Sequence, residues 1–137
     1  MDIRVFEKLP VYAVDIREEV FVKEQGFREE FDTDDKRAIH VVGFIDNRSV
    51  ATSRILKNDD GSYLIGRIAV RKNYRKNGLG AEIIKASEEI IRKLGGKEIF
   101  IHSQLQAAPF YEKQGYIPTG ETDFEEGCPH CMMRKAL

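Results

Sequence analysis

A basic segment that contains two glycines has the residue types needed to bind a phosphorylated ligand. It spans residues 75–80 and reads Arg-Lys-Asn-Gly-Leu-Gly. Gly78 and Gly80 carry no Cβ, so a phosphate can approach the backbone closely, and Arg75 and Lys76 add electrostatic attraction. The segment matches neither the G-x-x-x-x-G-K-[ST] nor the G-x-G-x-x-G phosphate motif. Its spacing, R-x-x-G-x-G, indicates an anion site of another kind, and the alternative is an ordinary helix start with solvated basic residues.

The three histidines, His40, His102 and His130, are candidates for proton transfer. An imidazole titrates near neutrality, so it can take a proton from an ammonium group at physiological pH. A single histidine among apolar residues is more often a hydrogen-bonded structural residue, and this interpretation is favoured for His40 and His102. His130 stands between two cysteines near the end of the sequence, so it is considered separately below.

The anion segment lies between a predicted strand and a predicted helix. Residues 63–70 are rich in Leu, Ile, Val and Tyr, which suits a half-buried strand. After Gly80, apolar residues recur at spacings of three, four and seven as far as Leu94, which predicts an amphipathic helix. The first N–H groups of a helix lack intrahelical acceptors and lie at the positive end of the helix dipole. A strand, a basic loop and a helix in this order would hold a phosphate at the helix N-terminus.

The rest of the chain alternates predicted strands with two further helices. Short turns join three of the strands into an antiparallel meander. Residues 27–37 are predicted to form an acidic, solvated loop, with attraction of a cationic substrate as the alternative. The order of elements predicts a mixed α/β (α+β) sheet in a single domain, residues 1–137. The predicted strands are residues 2–6, 38–45, 49–57, 63–70, 98–102, 116–122 and 129–135, and the two further helices are residues 10–24 and 107–114.

The charge balance argues against a protein that binds nucleic acid or an anionic membrane. The 137 residues carry a net charge of −1 at pH 7, so no basic field extends over the chain. No apolar run approaches the roughly 20 residues of a membrane helix, and the N-terminal residues lack the apolar centre of a signal peptide. We expect a soluble, cytoplasmic protein without a nucleic-acid or membrane partner. The sequence leaves a homodimer open.

The two cysteines, Cys128 and Cys131, begin and end the motif Cys-Pro-His-Cys, which also occurs in thioredoxin-like oxidoreductases. In those proteins the first cysteine begins a helix, which lowers its pKa. Here only six residues follow Cys131, and they favour a closing strand. Positions three apart on a strand point to opposite faces and lie about 10 Å apart, beyond the roughly 7 Å limit for a disulfide. We therefore expect unpaired, buried or half-buried thiols rather than a redox pair.

Two segments resemble the GNAT superfamily of N-acetyltransferases. Residues 75–80 are similar to its acetyl-coenzyme A pyrophosphate loop, and residues 110–116, Phe-Tyr-Glu-Lys-Gln-Gly-Tyr, resemble its F-Y-x-K-x-G-F segment. More narrowly, residues 20–25 and the Gly-Cys-Pro-His of residues 127–130 resemble a bacterial subfamily of mostly unassigned substrate, with the two cysteines in place of expected aliphatic residues. The resemblance implies a mixed, mostly antiparallel sheet of six to seven strands flanked by about four helices, with strands four and five parallel and splayed.

The resemblance also implies which residues bind the cofactor. The amides of the pantetheine arm would pair along the fourth strand, and a backbone N–H near Ala69 or Val70 would face the oxyanion. The diphosphate would lie on the glycine segment. The implied cofactor-binding residues are Ile68, Ala69, Val70, Arg75, Lys76, Asn77, Gly78, Leu79 and Gly80.

Catalytic and acceptor-binding residues follow from the same resemblance. Tyr111 would donate a proton to the departing thiolate, since its reference pKa near 10 exceeds that of a thiol, near 8.5. His130 corresponds to the general base of some relatives ending P-H-x-x-M, with Glu24 and an ordered water as open alternatives. Glu24, Gln25, Arg67 and Gln104 are candidates for lining the acceptor side, with solvated or paired side chains as the favoured interpretation.

The function implied is transfer of an acetyl group from acetyl-CoA to a primary amine of a small molecule by direct attack, with acetyl-CoA as co-substrate and without a metal. Two alternatives stay open. One is an acyltransferase with a longer acyl donor, similar to acyl-homoserine-lactone synthases. The other is a CoA-binding sensor or interaction module that has the fold without turnover.

Overall fold

A computed structural model describes residues 1–28 and 30–137 and contains a seven-stranded sheet. Glu29, part of the predicted acidic loop, lies outside the described residues. The strands are β1 Asp2–Phe6, β2 Ile39–Ile45, β3 Arg48–Lys57, β4 Tyr63–Val70, β5 Glu98–Gln104, β6 Ile117–Glu125 and β7 Cys128–Ala136. The α-helices are α1 Val11–Arg17, α2 Leu79–Lys93 and α3 Ala108–Lys113, and short 3-10 turns cover Thr33–Lys36, Lys72–Tyr74 and Leu105–Ala107.

The strands lie in the order β1-β2-β3-β4-β5-β7-β6. β4 and β5 are parallel, and every other neighbouring pair is antiparallel. The parallel pair requires a crossover connection, which α2 provides. This arrangement confirms the predicted fold class and the predicted parallel fourth and fifth strands. Among the described residues the sheet carries three α-helices, where about four were expected.

Apolar residues cover both faces of the sheet. On one face α2 packs Ile83, Ile84 and Ile91, all fully buried, and α3 adds Tyr111 to the same cluster. On the other face α1 forms a second cluster that includes Ile16. Burial of each large aliphatic side chain contributes about 1.5–3 kcal/mol, so these clusters fix both helix layers on the sheet.

The predicted helix at residues 10–24 changes its geometry midway. α1 ends at Arg17 and continues directly as a π-helical turn, Glu18–Glu24, which closes with a hydrogen bond from Gln25 N–H to Val20 O. A π-helical turn is wider than an α-helical turn and is frequent at functional sites. Here it leads the chain toward the open end of β5.

Both cysteines are free, and both lie on β7, as predicted. Cys131 is buried in the core against the helices, whereas Cys128 is half-buried. In the described part of the chain, none of the helices has the length and apolar character needed to cross a membrane.

Candidate active site

β4 and β5 separate halfway along their length. Within the described residues their parallel pairing extends only from Tyr63 and Ile99 to Ile65 and Ile101. Beyond that point β4 stays with β3 while β5 stays with β7, so a gap opens between the two strands. A cavity of about 570 Å³ occupies this gap. Its walls come from β4, β5, the end of the π-helical turn, α3 and the β6–β7 hairpin.

An irregularity in β4 shapes one wall of the cavity. Arg67 has φ 50°, and the register with β3 shifts between Thr52 and Arg54. A bulge of this kind re-aims a side chain and is common beside active sites. Arg67 Nε consequently lies 2.7 Å from Glu30 Oε2, and Arg67 Nη2 lies 3.3 Å from Asp32 Oδ2. Arg67 and Ile68 line the cavity.

The glycine segment forms a tight turn before α2. Lys76 and Gly78 both have positive φ, 67° and 76°, and Gly78 is the N-cap residue without a side chain to satisfy the first N–H groups. Asn77 donates hydrogen bonds back into the turn, to Tyr74 O and Arg75 O. A Cβ at Gly78 would meet no heavy atom within 4 Å, so the turn leaves open space at the helix N-terminus. These residues fit a diphosphate, which needs backbone donors and room beside them.

The other glycine of the segment makes a close contact inside the protein. A Cβ at Gly80 would lie 3.1 Å from Cζ of Phe110, which precedes Tyr111 in α3. The small residue therefore lets α2 and α3 approach each other at the mouth of the gap.

Arg75 is held by two neighbours. Its Nη1 and Nη2 donate to the two Glu24 carboxylate oxygens at 2.7 Å each, and its Nε donates to Val70 O at 2.9 Å. The hydrogen bonds from Arg75 lower the pKa of Glu24. A carboxylate with a lowered pKa is a weaker proton acceptor, so this contact does not favour Glu24 as a base.

Tyr111 lies on the wall of the cavity that α3 provides. It is 9% exposed and makes edge contacts with the rings of Phe110 and Tyr116. Burial raises the pKa of Tyr111 to about 12, because an ionised phenolate would lose its hydration. The hydroxyl therefore keeps its proton at neutral pH and is able to donate it.

His102 and His130 lie together on the opposite wall. Their rings stack with centroids 4.6 Å apart. His130 Nδ1 donates to Cys128 O at 2.9 Å, since a carbonyl only accepts, and this leaves the lone pair on Nε2. That Nε2 is 3.5 Å from Glu125 Oε2. His102 Nε2 donates to Asp123 Oδ1 at 2.7 Å.

His40 belongs to a different part of the protein. It is buried, and its Nε2 is 2.9 Å from Asp35 O. Burial lowers the pKa of His40, which favours the neutral ring. This agrees with the structural role expected for His40. His102 also has the hydrogen bond expected of a structural residue, to Asp123, and in addition it lines the cavity.

The prediction of a solvated acidic loop was wrong for Glu30 and Asp35. Both are 5% exposed and pair with Arg17, a buried arginine of α1 that the sequence analysis did not single out. Asp35 also accepts from Arg54. Burial alone would raise the pKa of Asp35, but hydrogen bonds from the two arginines outweigh burial and lower it.

The predicted acceptor-side residues divide into two groups. Gln25, Arg67 and Gln104 line the cavity, and Gln104 Nε2 donates to Gln25 Oε1 at 2.7 Å. Glu24 instead faces Arg75 at the glycine segment. The structure thus brings three of the four together.

Glu125 and Asp123 were missed by the sequence analysis. Both belong to β6, two positions apart, so they share one face of the strand. The β6–β7 register pairs Asp123 with His130. The strand face that holds Asp123 and Glu125 therefore lies beside the histidines. The alternation of acidic residues before the Gly-Cys-Pro-His segment was the available signal, but its use requires the hairpin register.

Comparison with known proteins agrees with this architecture. Residues 11–137 match the family of the acetyltransferase (GNAT) domain. The uncharacterized N-acetyltransferase YjcF of Bacillus subtilis is 37% identical over 123 residues, which cover 88% of this chain and 87% of YjcF. A crystal structure from Lactobacillus plantarum is 31% identical, with a TM-score of 0.91 and coverage of 99% of this chain and 97% of the other.

A more distant structure shares the fold alone. It is a GNAT acetyltransferase from Elizabethkingia anophelis with acetyl-CoA bound, 15% identical, with a TM-score of 0.77 and coverage of 98% of each chain. The family match and the closer relatives confirm the resemblance found in the sequence. This chain belongs to the GNAT acetyltransferase family and is an acyltransferase.

Proposed function

We propose that this protein transfers the acetyl group of acetyl-CoA to a primary amine of a small molecule by direct attack. The observation that carries the proposal is the cavity in the β4–β5 gap, which has the Tyr111 side chain on one wall and His130 with Glu125 on another. A proton donor and a proton acceptor therefore face the same cavity, as a transfer between thioester and amine requires.

The cofactor-binding part of the proposal rests on the turn before α2. The N–H groups at the start of α2, next to Gly78, would hold the diphosphate, and Arg75 would turn from Glu24 toward the added negative charge. Along β4, backbone groups from Ile68 to Val70 would pair with the pantetheine amides in the manner of an added strand. Acetyl-CoA supplies the reactive thioester.

The acceptor enters as an ammonium group, which offers three N–H donors. His102, His130 and Glu125 each offer one acceptor atom within 4.8 Å of the other two. His102 Nδ1 and His130 Nε2 lie 3.9 Å and 3.5 Å from Glu125 Oε2. We assign the proton to His130 Nε2, whose lone pair is fixed by the hydrogen bond from Nδ1 to Cys128 O. Glu125 then stabilises the resulting imidazolium. The ordered-water alternative would use the same ammonium site.

The neutral amine attacks the thioester carbonyl, and a backbone N–H near Ala69 or Val70 stabilises the oxyanion by about 3 kcal/mol. As the carbon–sulfur bond breaks, the Tyr111 hydroxyl donates its proton to the departing thiolate, and the nitrogen of the new amide gives up its second proton, which restores the Tyr111 hydroxyl. Since burial raises the pKa of Tyr111 to about 12, the hydroxyl carries this proton at neutral pH. The products are the acetylated amine and free CoA.

Calorimetric titration with acetyl-CoA tests the first half of the proposal. One binding event per chain is expected, and absence of binding at millimolar acetyl-CoA would remove the function. A panel of amines, polyamines, amino acids and aminosugars, with release of CoA thiol as the readout, tests the second half. In the same assay, a series of acyl-CoA donors separates an acetyltransferase from an enzyme that prefers longer acyl chains.

A further inference from the structure

Three lone-pair atoms converge where β5 meets the β6–β7 hairpin. His102 Nε2 donates to Asp123 and His130 Nδ1 donates to Cys128 O, so in the neutral rings the free lone pairs are on His102 Nδ1 and His130 Nε2. These atoms lie 3.9 Å and 3.5 Å from the same oxygen, Glu125 Oε2. Acceptors that face one another without a hydrogen repel, and a cation between them removes the repulsion.

We propose that His102 Nδ1, His130 Nε2 and the Glu125 carboxylate form a binding site for a divalent transition-metal ion, with Zn²⁺ as the preferred ion. The proposal concerns metal binding by these side chains, and it stands whether or not the protein acetylates an amine. Two imidazoles and one carboxylate suit zinc and its neighbours, whereas magnesium and calcium prefer oxygen ligands alone.

The supporting hydrogen bonds match those of known metal sites. Metal-bound histidines almost always donate their second N–H to a carboxylate or a backbone carbonyl, which fixes the tautomer and the ring. Here Asp123 Oδ1 accepts from His102 at 2.7 Å, and Cys128 O accepts from His130 at 2.9 Å. Both rings are therefore prepared to present the nitrogen that faces Glu125.

The three ligand atoms must move only a short distance toward one another to bind an ion. Ligand atoms at 2.0–2.1 Å from tetrahedral zinc are about 3.4 Å apart, so a set that already lies within 4.8 Å must contract by about 1.5 Å at most. The two rings are stacked at an interplanar angle of 27°, so one of them must turn to place both lone pairs on one ion. His102 is the freer ring, since its side chain is 24% exposed against 5% for His130.

The fourth position of the ion would face the cavity, because all three ligand residues line it. Zinc sites with three protein ligands keep an open position of this kind for water or a small molecule. In this protein the ion would occupy the place proposed for the ammonium group of the acceptor. Bound Zn²⁺ is therefore expected to exclude the amine and to inhibit transfer competitively with it.

Titration calorimetry of the full, tag-free chain with ZnCl₂ tests the proposal without reference to catalysis. One ion per chain is expected, with no saturable binding of MgCl₂. Glu125→Ala and His102→Ala should each weaken Zn²⁺ binding at least tenfold, and Asp123→Asn, which changes only the partner of His102, by roughly 10- to 100-fold. Glu121→Ala is the matched control, since it removes the same charge from another exposed position of β6 and should leave affinity unchanged.

Two results would overturn the proposal. One is Zn²⁺ affinity in Glu125→Ala equal to that of the wild type; Glu125 is 54% exposed, so this variant is expected to fold, and its thermal transition verifies that. The other is a thiolate-to-cobalt charge-transfer band on addition of Co²⁺, abolished by Cys128→Ser, which would assign metal binding to the neighbouring cysteine. A cobalt spectrum with only weak ligand-field bands supports the histidine and carboxylate ligands.

Discussion

Arg75 and Glu24 form a two-bond ion pair, with Nη1 and Nη2 of the arginine each 2.7 Å from a carboxylate oxygen. The pair joins the glycine segment to the end of the π-helical turn, and Arg75 is also tied to β4 through Val70 O. Glu24 and Val70 O thus hold the arginine proposed for the diphosphate at the glycine segment, and the arginine must leave Glu24 to contact a bound ligand. About a third of each side chain is exposed, so the pair contributes only about 0–1 kcal/mol and can open readily.

Glu24→Gln should strengthen acetyl-CoA binding by up to about fivefold, because the carboxylate no longer competes with the diphosphate for Arg75. The turnover number should stay close to that of the wild type, since Glu24 is not the proposed base. Calorimetry and steady-state kinetics measure the two effects. Glu19→Gln, which makes the same change in the partner of the neighbouring Arg71, serves as the control. A hundredfold loss of turnover in Glu24→Gln alone would identify Glu24 as the base.

Gly78→Asp should weaken acetyl-CoA binding at least tenfold, because it adds a negative charge and a side chain where the diphosphate is proposed to lie. Gly61→Asp is a close control. Both glycines have positive φ, 76° and 90°, and a Cβ at either would meet nothing within 4 Å, so backbone strain and charge change are matched. Equal acetyl-CoA affinities for the two variants would exclude the glycine segment as the diphosphate site.

Tyr111→Phe should lower the turnover number roughly 100-fold with little change in acetyl-CoA affinity, because it removes only the proton donor. Tyr116→Phe provides the contrast in the same aromatic cluster. The Tyr116 hydroxyl donates to Glu88 at 2.8 Å, so its loss should reduce the free energy of unfolding by about 1–3 kcal/mol and leave turnover intact. Full activity in Tyr111→Phe would show that the thiolate leaves without this donor.

Much of the fold could be predicted because its signals are local. β1 and β4 begin and end at the predicted residues, β1 from its alternation of polar and apolar residues and β4 from its content of Leu, Ile, Val and Tyr. α2 follows the apolar stripe after Gly80. The bulge at Arg67 was not predicted, since no local pattern distinguishes a left-handed arginine from any other strand residue. It depends on the pairing with β3 and on the carboxylates that Arg67 reaches.

Residues of the candidate site could be predicted only where they belong to a recognisable sequence motif. The glycine segment and Tyr111 belong to recognisable motifs, whereas Glu125 reaches the site through the register of a hairpin. The acidic segment was misjudged for a similar reason. Glu30 and Asp35 resemble solvated residues until Arg17, 13 to 18 positions away, is known to be buried against them. Partners of buried charges are set by tertiary packing, which composition does not reveal.

Asp35→Asn should reduce the free energy of unfolding at pH 7 by about 3 kcal/mol, because it leaves the Arg17 and Arg54 guanidinium groups without their shared buried carboxylate. Asp34→Asn is the neighbouring control. Asp34 is 44% exposed and pairs with Arg37 at the surface. Its replacement should therefore reduce the free energy of unfolding by at most about 1 kcal/mol. Urea denaturation of the two variants measures the difference, and equal values would contradict a stabilising role for the buried pair.

The same variant tests the sign of the pH dependence. The pKa of Asp35 is lowered in the folded protein from its ordinary value of 3.8, so the unfolded chain takes up this proton first as the pH falls. The stabilisation that the ionised Asp35 carboxylate contributes is therefore complete above about pH 5. It is lost as the pH falls from there through the folded-state pKa of Asp35. Asp35→Asn removes that group, and its unfolding free energy should decline less steeply than that of the wild type in this range. If the unfolding free energies of the wild type and Asp35→Asn fall in parallel as the pH is lowered, the Asp35 carboxylate is not stabilised by Arg17 in the folded protein.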